Sequence, residues 1–131
     1  TKTLAHGDFR SENILFHGNA ACTVDWQTLG ETSPLADLAY FMGGSLEVAD
    51  RRNWERDLVR EYSDELATLG VSLGFEECWQ QYREQAMHGL IITILGASFS
   101  EPAERSDAMF LAMIQRHLQH CVDLEAAEFL V

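Results

Sequence analysis

Three polar residues near the start of the chain have types that suit proton transfer and the binding of magnesium. Asp8 follows the pair His6-Gly7, Asn13 comes five residues after Asp8, and Asp25 ends a short apolar run. A carboxylate can accept the proton of an attacking hydroxyl, and carboxylate and amide oxygens are ligands for magnesium. Taken singly, these residues would be a loop cap, a turn former and a surface carboxylate. Their combination at these offsets indicates a site.

Short elements around these residues predict how they come together. Two apolar runs, residues 14–16 and 22–24, flank the turn-like residues 17–19, which is the pattern of a small β-hairpin. Because the two strands run back along each other, the hairpin would bring Asn13 and Asp25 to the same end.

The rest of the chain is predicted to be mostly helical. Residues 29–34 are rich in turn formers and predict a loop, after which Asp37 would cap a short helix to about Gly43. The next helix, between a cap at Asp50 and a terminating Gly70, has an apolar stripe of Trp54, Leu58, Tyr62, Leu66 and Leu69. A second long helix, apolar on most faces in its later half, would bury Phe75, Trp79, Tyr82, Ala86, Leu90, Ile91, Ile94 and Leu95, with close packing at Gly89 and Gly96. A last helix, with Pro102 in its first turn, would turn inward Met109, Met113, Ile114, Leu118, Cys121 and Val122.

The polar motif resembles a known family. The stretch His-Gly-Asp-Phe-Arg-Ser-Glu-Asn-Ile-Leu at residues 6–15, followed by Val-Asp-Trp at residues 24–26, is similar to the catalytic loop and metal-binding Asp of aminoglycoside phosphotransferases. Choline kinases and related small-molecule kinases, distant relatives of protein kinases, share this pattern. Residues 25–30 and 37–41 also look like the bacterial branch of the family.

This resemblance implies the fold and the domain organisation. The expected class is α+β, mainly α: the C-terminal lobe of a protein kinase-like fold, with a catalytic loop and small β-hairpin followed by a helical bundle. Residues 1–36 would form the catalytic loop, hairpin and metal-binding segment, and residues 37–131 the helical subdomain. The Gly-rich strand-loop and lysine of an N-terminal nucleotide-binding lobe are not found upstream, so the chain alone is expected to be inactive.

The resemblance also assigns roles to the reacting residues. Asp8 would orient the acceptor hydroxyl and accept its proton, while Asn13 and Asp25 would bind magnesium. Arg10 would stabilise the transferred phosphoryl group, or else form a solvent-exposed salt bridge. The cofactors implied are Mg²⁺ and ATP, with GTP possible.

Four further residues are given supporting roles by the same resemblance. His6 would brace the catalytic loop by hydrogen bonds to the backbone, and Asp37 would tie the loop down from behind. Leu15 and Val24 would form the floor under the adenine ring.

The implied reaction is transfer of the γ-phosphate of ATP to a hydroxyl of a small molecule. Acceptors in such families include aminoglycosides, choline, homoserine, sugars and steroid-like alcohols. Asp25 is followed by Trp26-Gln27 rather than the Phe-Gly of protein kinases, so protein substrates are not expected. The alternative is a non-catalytic binding or regulatory module. A hydrolase with His6 and Asp8 as metal ligands lacks the further His and Asp residues that such centres need.

Composition narrows the partners and the compartment. A net charge of −12 argues against nucleic acid and acidic membrane surfaces. Three cysteines far apart in the sequence indicate neither disulfides nor a zinc site, which favours the cytoplasm. The group His117, His120 and Cys121 is read as packing rather than a metal site, because no second cluster completes it. Self-association of a lobe that exposes its interface is also expected.

Overall fold

Four short strands and four helices make up residues 1–130, the part of the chain that the computed structural model describes. The strands are β1 (Thr3–Ala5), β2 (Ile14–His17), β3 (Ala20–Thr23) and β4 (Gly30–Thr32). The helices are α1 (Ala36–Ser45), α2 (Val48–Thr68), α3 (Phe75–Phe99) and α4 (Glu104–Asp123). Single 3₁₀ turns lie at Ser11–Asn13, Trp26–Thr28 and Ala126–Phe129. The predicted α+β, mainly α class is confirmed; Val131, the end of the predicted helical subdomain, lies outside the described residues.

The predicted hairpin is confirmed. Strand β2 pairs antiparallel with β3, with Ile14 opposite Thr23 and His17 opposite Ala20. The two residues between the strands form the turn, and Gly18 there has a φ of 57°. Such a left-handed conformation suits the two-residue turns whose twist matches that of the strands, which is why glycine is favoured at this point.

A second ribbon lies where the sequence predicted only a loop. Within residues 29–34, Gly30–Thr32 form β4, which pairs antiparallel with β1 so that Ala5 faces Gly30 and Thr3 faces Thr32. The prediction was wrong because the partner strand is distant in sequence and the turn-forming residues carry no alternating pattern. This ribbon joins the segment before the polar motif to the segment after Asp25.

Three predicted helix starts are also wrong. Asp37 and Asp50 lie in the first turns of α1 and α2 rather than at their caps, and Pro102 precedes α4. The N-cap residues of these helices make no side-chain capping bond. First-turn carboxylates still interact favourably with the helix dipole, so their presence marks the start only approximately. Gly70, with a φ of 78°, ends α2 as predicted.

The hydrophobic core lies between the helices, with α1 packed against α3 and α4. It consists of Leu35, Ala39, Met42, Val59, Leu73, Cys78, Tyr82, Ala86, Cys121, Leu124 and Ala126. Within residues 1–130, no helix combines the length and the apolar content that crossing a membrane requires.

The sequence predicted that the later half of α3 is buried on most faces, and this prediction is wrong. Ile91, Ile94 and Leu95 are each between 45 and 49% exposed. The buried side instead carries small residues, Gly89 and Thr93, because α3 approaches α4 closely there. The stripes of the neighbouring helices are shifted too, since Trp54, Leu69, Leu118 and Val122 are exposed.

The predicted close packing at the two glycines of α3 is confirmed. A Cβ atom at Gly89 would lie 2.3 Å from Cε1 of His117, and one at Gly96 would lie 3.3 Å from the ring of Phe110. The first distance is incompatible with any side chain unless His117 moves.

Candidate active site

The loop that carries Asp8 is held by α1. The Asp37 carboxylate accepts hydrogen bonds from the backbone N–H of His6, at 2.6 Å, and of Gly7, at 2.9 Å. Gly7 has a φ of 86°, and a Cβ there would lie 2.5 Å from the carbonyl oxygen of Thr28. Only glycine fits this turn. Asp37 therefore acts on the loop backbone instead of capping its own helix.

His6 is bonded to the backbone through both ring nitrogens. Its side chain is buried, Nδ1 accepts a hydrogen bond from the N–H of Asp8 at 3.2 Å, and Nε2 lies 2.9 Å from the carbonyl oxygen of Val24. Because Nδ1 is an acceptor, the ring proton is on Nε2 and is donated to Val24. The imidazole thus links the loop that carries Asp8 to the end of the hairpin, and both of its ring nitrogens are occupied.

Asp8, Arg10 and Asn13 are in direct contact. The Asn13 amide nitrogen donates to the Asp8 carbonyl oxygen at 2.8 Å and to the Asp8 carboxylate at 2.9 Å. Arg10 Nε lies 3.3 Å from the same carboxylate oxygen, and the two side chains are 23% and 27% exposed. The carboxylate is therefore fixed by two donors and still reachable from solvent.

A backbone hydrogen bond brings Asn13 close to Asp25 at the open end of the hairpin. The N–H of Val24 donates to the carbonyl oxygen of Asn13 at 2.9 Å, so Asp25 follows directly beside Asn13. Both groups that Asn13 contacts at Asp8 are acceptors, so its amide nitrogen must face them and its amide oxygen points away. The exposed Asp25 has a left-handed backbone, with φ 65°.

The donor set fits the chemistry of magnesium. In residues 1–130 no group of three or more His, Cys, Asp or Glu side chains is arranged to hold a metal. Magnesium does not require one, because it keeps several waters and is usually bound by one or two carboxylates together with substrate phosphates. One carboxylate and one amide oxygen are therefore a sufficient protein contribution.

The face of the hairpin offers apolar surface. Leu15 pairs with Cys22, and Val24 lies two residues beyond Cys22, so Leu15 and Val24 share one face. Leu15 is 58% exposed on this face. These side chains are available for contact with something outside the described residues.

A cleft of about 190 Å³ opens beside Asp8. It is lined by Asp8, Arg10, Tyr40, Ile92, Thr93, Gly96, Phe110 and Met113. The sequence analysis did not predict the helical part of this lining, of which it had named only Gly96 and Met113 as packing residues. The clue was Thr93, a polar residue on the buried face of an otherwise apolar stretch. A larger groove of about 530 Å³, with Glu47, Arg52 and Arg116 in its wall, contains none of the motif residues.

Tyr40 lines this cleft and lies on α1, the helix that also carries Asp37. Burial raises the pKa of Tyr40 to about 12, and the negative charge of Asp8 is the second cause of this shift. The phenol is therefore protonated at ordinary pH and can donate a hydrogen bond.

The sequence model of the ecdysteroid kinase-like family matches residues 1–75. The chain belongs to this family. The matched range contains the loop, both β-ribbons, α1 and α2, and therefore every predicted site residue. The ecdysteroid kinase-like chain is thus kinase-like and related to small-molecule kinases, as its motif indicated; α3 after its first residue and α4 lie beyond the match.

One curated relative shares a short segment with this ecdysteroid kinase-like chain. Acyl-CoA dehydrogenase family member 11 of Gallus gallus is 48% identical over 42 residues, which are 30% of this chain and 5% of that protein. The chain thus spans a small part of the relative. No solved structure matches this chain significantly.

Proposed function

We propose that this chain is the catalytic lobe of an ATP-dependent phosphotransferase whose acceptor is a hydroxyl group of a small molecule. The observation that carries the proposal is the position of Asp8. Its carboxylate is fixed by Asn13 and Arg10 and forms part of the wall of a cleft between α1, α3 and α4. A carboxylate in this position can meet an acceptor hydroxyl that enters the cleft.

Asp8 would orient the acceptor hydroxyl and take its proton as the phosphoryl group moves. The base must lie within hydrogen-bond reach of that proton, and an open cleft beside the carboxylate permits this. Asn13 holds the carboxylate in one orientation by donating to it, so the group would be placed before the acceptor arrives.

Arg10 would stabilise charge on the transferred group. Its guanidinium lines the same cleft and already contacts Asp8, so it lies beside the place where the acceptor and phosphate would meet. Five N–H donors in a fixed plane suit phosphate oxygens. The salt bridge to Asp8 would then hold Arg10 ready in the absence of substrate.

Asn13 and Asp25 would hold the magnesium ion that accompanies the nucleotide. When bound, the ion offsets the negative charge of the phosphates. The chain's own part is to present one amide oxygen and one carboxylate at the open end of the hairpin. The link from His6 to Val24 keeps these two residues and Asp8 in a fixed relation.

The nucleotide base would rest on Leu15 and Val24. The exposed apolar face of the hairpin supports this, since an adenine ring needs such a surface. The opposite side of the nucleotide would be covered by an N-terminal lobe outside these residues, and the chain without that lobe would be inactive and prone to self-associate.

ATP is the expected donor, with GTP possible. ATP supply and the three free thiols favour a cytoplasmic location.

The acceptor is best described as an uncharged alcohol with an apolar body. The family description names ecdysteroids, and apart from Asp8 and Arg10 the described lining of the cleft is uncharged. A polycationic aminoglycoside would be expected to meet several carboxylates, and choline an aromatic cage. The largely uncharged lining therefore favours a steroid-like alcohol over either of these acceptors.

The test is phosphoryl transfer by the complete protein. Magnesium-ATP would be incubated with steroid alcohols, sugars, choline and aminoglycosides, and phosphorylated product would be measured. Asp8→Asn should lower kcat by about 10²- to 10⁴-fold because the general base is lost. Glu12→Gln is the matched control, since Glu12 is an exposed carboxyl of the same loop and its side chain bonds the neighbouring Ser11.

Two results would overturn the proposal. One is an Asp8→Asn protein whose kcat falls no more than that of Glu12→Gln, in which case Asp8 is not the base. The other is a complete protein that neither binds magnesium-ATP nor phosphorylates any alcohol, which would leave a non-catalytic role.

A further inference from the structure

One side of α1 faces the catalytic loop with two successive polar residues. Asp37 bonds the loop backbone, and Tyr40, three residues later and so on the same face of the helix, lines the cleft with Asp8. Tyr40 is only 6% exposed. The same helix therefore fixes both the backbone of the loop and the surroundings of its carboxylate.

Behind Tyr40 lies the fully buried imidazole of His117. The two rings are stacked, with centroids 5.4 Å apart and an interplanar angle of 18°. A Cβ atom at Gly43, Gly44 or Gly89 would lie 2.6, 2.7 or 2.3 Å from the imidazole, respectively. Three glycines thus leave a slot that this ring fills, and the Tyr40 ring has no room to retreat.

His117 is a costly residue to keep in this slot. Neither ring nitrogen has a hydrogen-bond partner in residues 1–130. A buried polar group without a partner destabilises a fold, and an apolar residue would avoid the penalty. Such exceptions to good packing tend to occur at functional sites, where one element must be held in a particular place. The element held here is Tyr40.

We propose that Tyr40 is a positioning residue of the transfer reaction: His117 fixes its ring, and its hydroxyl sets the orientation of the Asp8 carboxylate toward the acceptor. This inference rests on the proposed function. The protonated phenol, whose pKa is raised to about 12, remains a hydrogen-bond donor at ordinary pH. Tyr40 would thereby complete the hold that Asn13 and Arg10 have on Asp8.

Tyr82 provides a matched comparison. It is also a buried tyrosine with a bonded hydroxyl, which lies 3.1 Å from Glu55 and 2.9 Å from His120. It is not part of the described lining of the cleft. Removing its hydroxyl should therefore change stability without changing the reaction.

The experiment compares Tyr40→Phe with Tyr82→Phe in the complete protein. Both changes keep the ring and remove one hydroxyl. We expect Tyr40→Phe to lower kcat by about 10- to 100-fold, with the KM for ATP and the thermal midpoint close to wild type. Tyr82→Phe should lower the thermal midpoint and keep kcat. His117→Leu, which removes the stacked ring, should lower kcat in the same direction as Tyr40→Phe.

The outcomes separate this inference from the proposed function. If Asp8→Asn abolishes transfer while Tyr40→Phe keeps kcat within about twofold, the proposed function stands and the positioning role is wrong. A Tyr40→Phe protein that loses stability as Tyr82→Phe does and keeps its kcat per folded molecule would likewise show a structural role. If Asp8→Asn is fully active, the proposed function itself fails.

Discussion

Two of the clusters in which an arginine meets a carboxylate differ in their access to solvent. In the open cluster of Asp8, Arg10 and Asn13, the charged side chains are about a quarter exposed and a cleft begins at their surface. The sealed cluster consists of Arg51, Glu55, Tyr82, His120 and Asp123, and most of it is buried. The same kinds of groups are thus found with and without a path for a ligand.

The sealed cluster joins three helices. Arg51 of α2 is 1% exposed and donates to Glu55 at 2.8 Å and also to Asp123 at the end of α4. Tyr82 of α3 donates to Glu55, and its hydroxyl oxygen lies beside the His120 ring of α4. The charges of the cluster are paired within the protein, with Arg52 as a second partner of Asp123, so its effect is on the relative placement of the helices.

The difference in solvent access decides which of the two charged clusters can take part in a reaction. A buried ion pair has a large desolvation penalty, and removing one partner leaves an uncompensated charge that strongly destabilises the fold. The open cluster avoids most of that penalty and keeps a carboxylate that an acceptor can reach. Changes in the sealed cluster should therefore affect stability, and changes in the open cluster should affect activity.

The largest loss of stability is expected from Arg51→Met. It removes one partner of the sealed cluster and leaves the Glu55 and Asp123 carboxylates without their buried cation, which should lower the free energy of unfolding by about 3–5 kcal/mol. Urea unfolding followed by circular dichroism would measure it. Arg52→Met is the control, because Arg52 is half exposed and also pairs with Asp123. Equal losses for the two variants would remove the contrast between sealed and exposed pairs.

Acid should destabilise the fold through two buried histidines, His117 and His120. Burial lowers the pKa of His117 to about 4 and that of His120 to about 3, and Arg51 adds to the effect on His120. The unfolded chain, with histidine pKa values near 6.5, therefore binds protons that the folded chain does not. The associated stability is complete above about pH 6.5 and is lost as the pH falls toward about 4, with a slope approaching about 2.7 kcal/mol per pH unit.

The pH dependence can be assigned to these two residues by substitution. His117→Gln should reduce the slope by about half, since one of two protons is removed from the balance. His17→Gln is the control substitution, because His17 is exposed on the hairpin. A free energy of unfolding that stays constant between pH 6.5 and 4.5 would contradict the assignment.

A smaller effect is expected at the slot beneath Tyr40. Gly89→Ala would place a Cβ 2.3 Å from His117, and the forced shift should lower stability by about 1–3 kcal/mol. Gly96→Ala is the matched change in the same helix, where the contact with the Phe110 ring is looser and alanine improves helix propensity. Thermal unfolding of both variants would check this, and a Gly96→Ala protein as unstable as Gly89→Ala would argue against a specific slot.

The smallest effect on stability is expected from Asp8→Asn. The carboxylate is partly solvated, and an amide keeps the shape of the side chain, so the free energy of unfolding should change by less than about 1 kcal/mol. Urea unfolding of this variant beside Arg51→Met tests the comparison directly. A loss as large as that of Arg51→Met would mean that the open cluster is also structural.

The sequence predicted the parts of the site that depend on neighbours in the chain. Asp8 and Asn13 are separated by one 3₁₀ turn, and the turn at Gly18 pairs β2 with β3, so local spacing was enough for both. The ribbon between β1 and β4 depends on strands far apart in sequence and could not be predicted in this way.

The helical faces could not be predicted because periodicity does not say which neighbour lies opposite. Thr93 faces the cleft while Ile91 and Ile94 are exposed, although the sequence makes the isoleucines look like core. Likewise, His117 and His120 occupy buried positions because glycines on α1 and α3 leave space for their rings. The cleft and the sealed cluster are therefore properties of the packed helices.

The three thiols of the chain differ in their surroundings, and this has a practical consequence for labelling. Cys78 and Cys121 are buried, and burial raises the pKa of both, whereas Cys22 is exposed on β3 opposite Leu15. A maleimide dye should therefore react at Cys22 first, because a reagent must reach a thiolate. The dye would lie on the hairpin itself, so fluorescence from the unaltered sequence would report when that surface becomes covered.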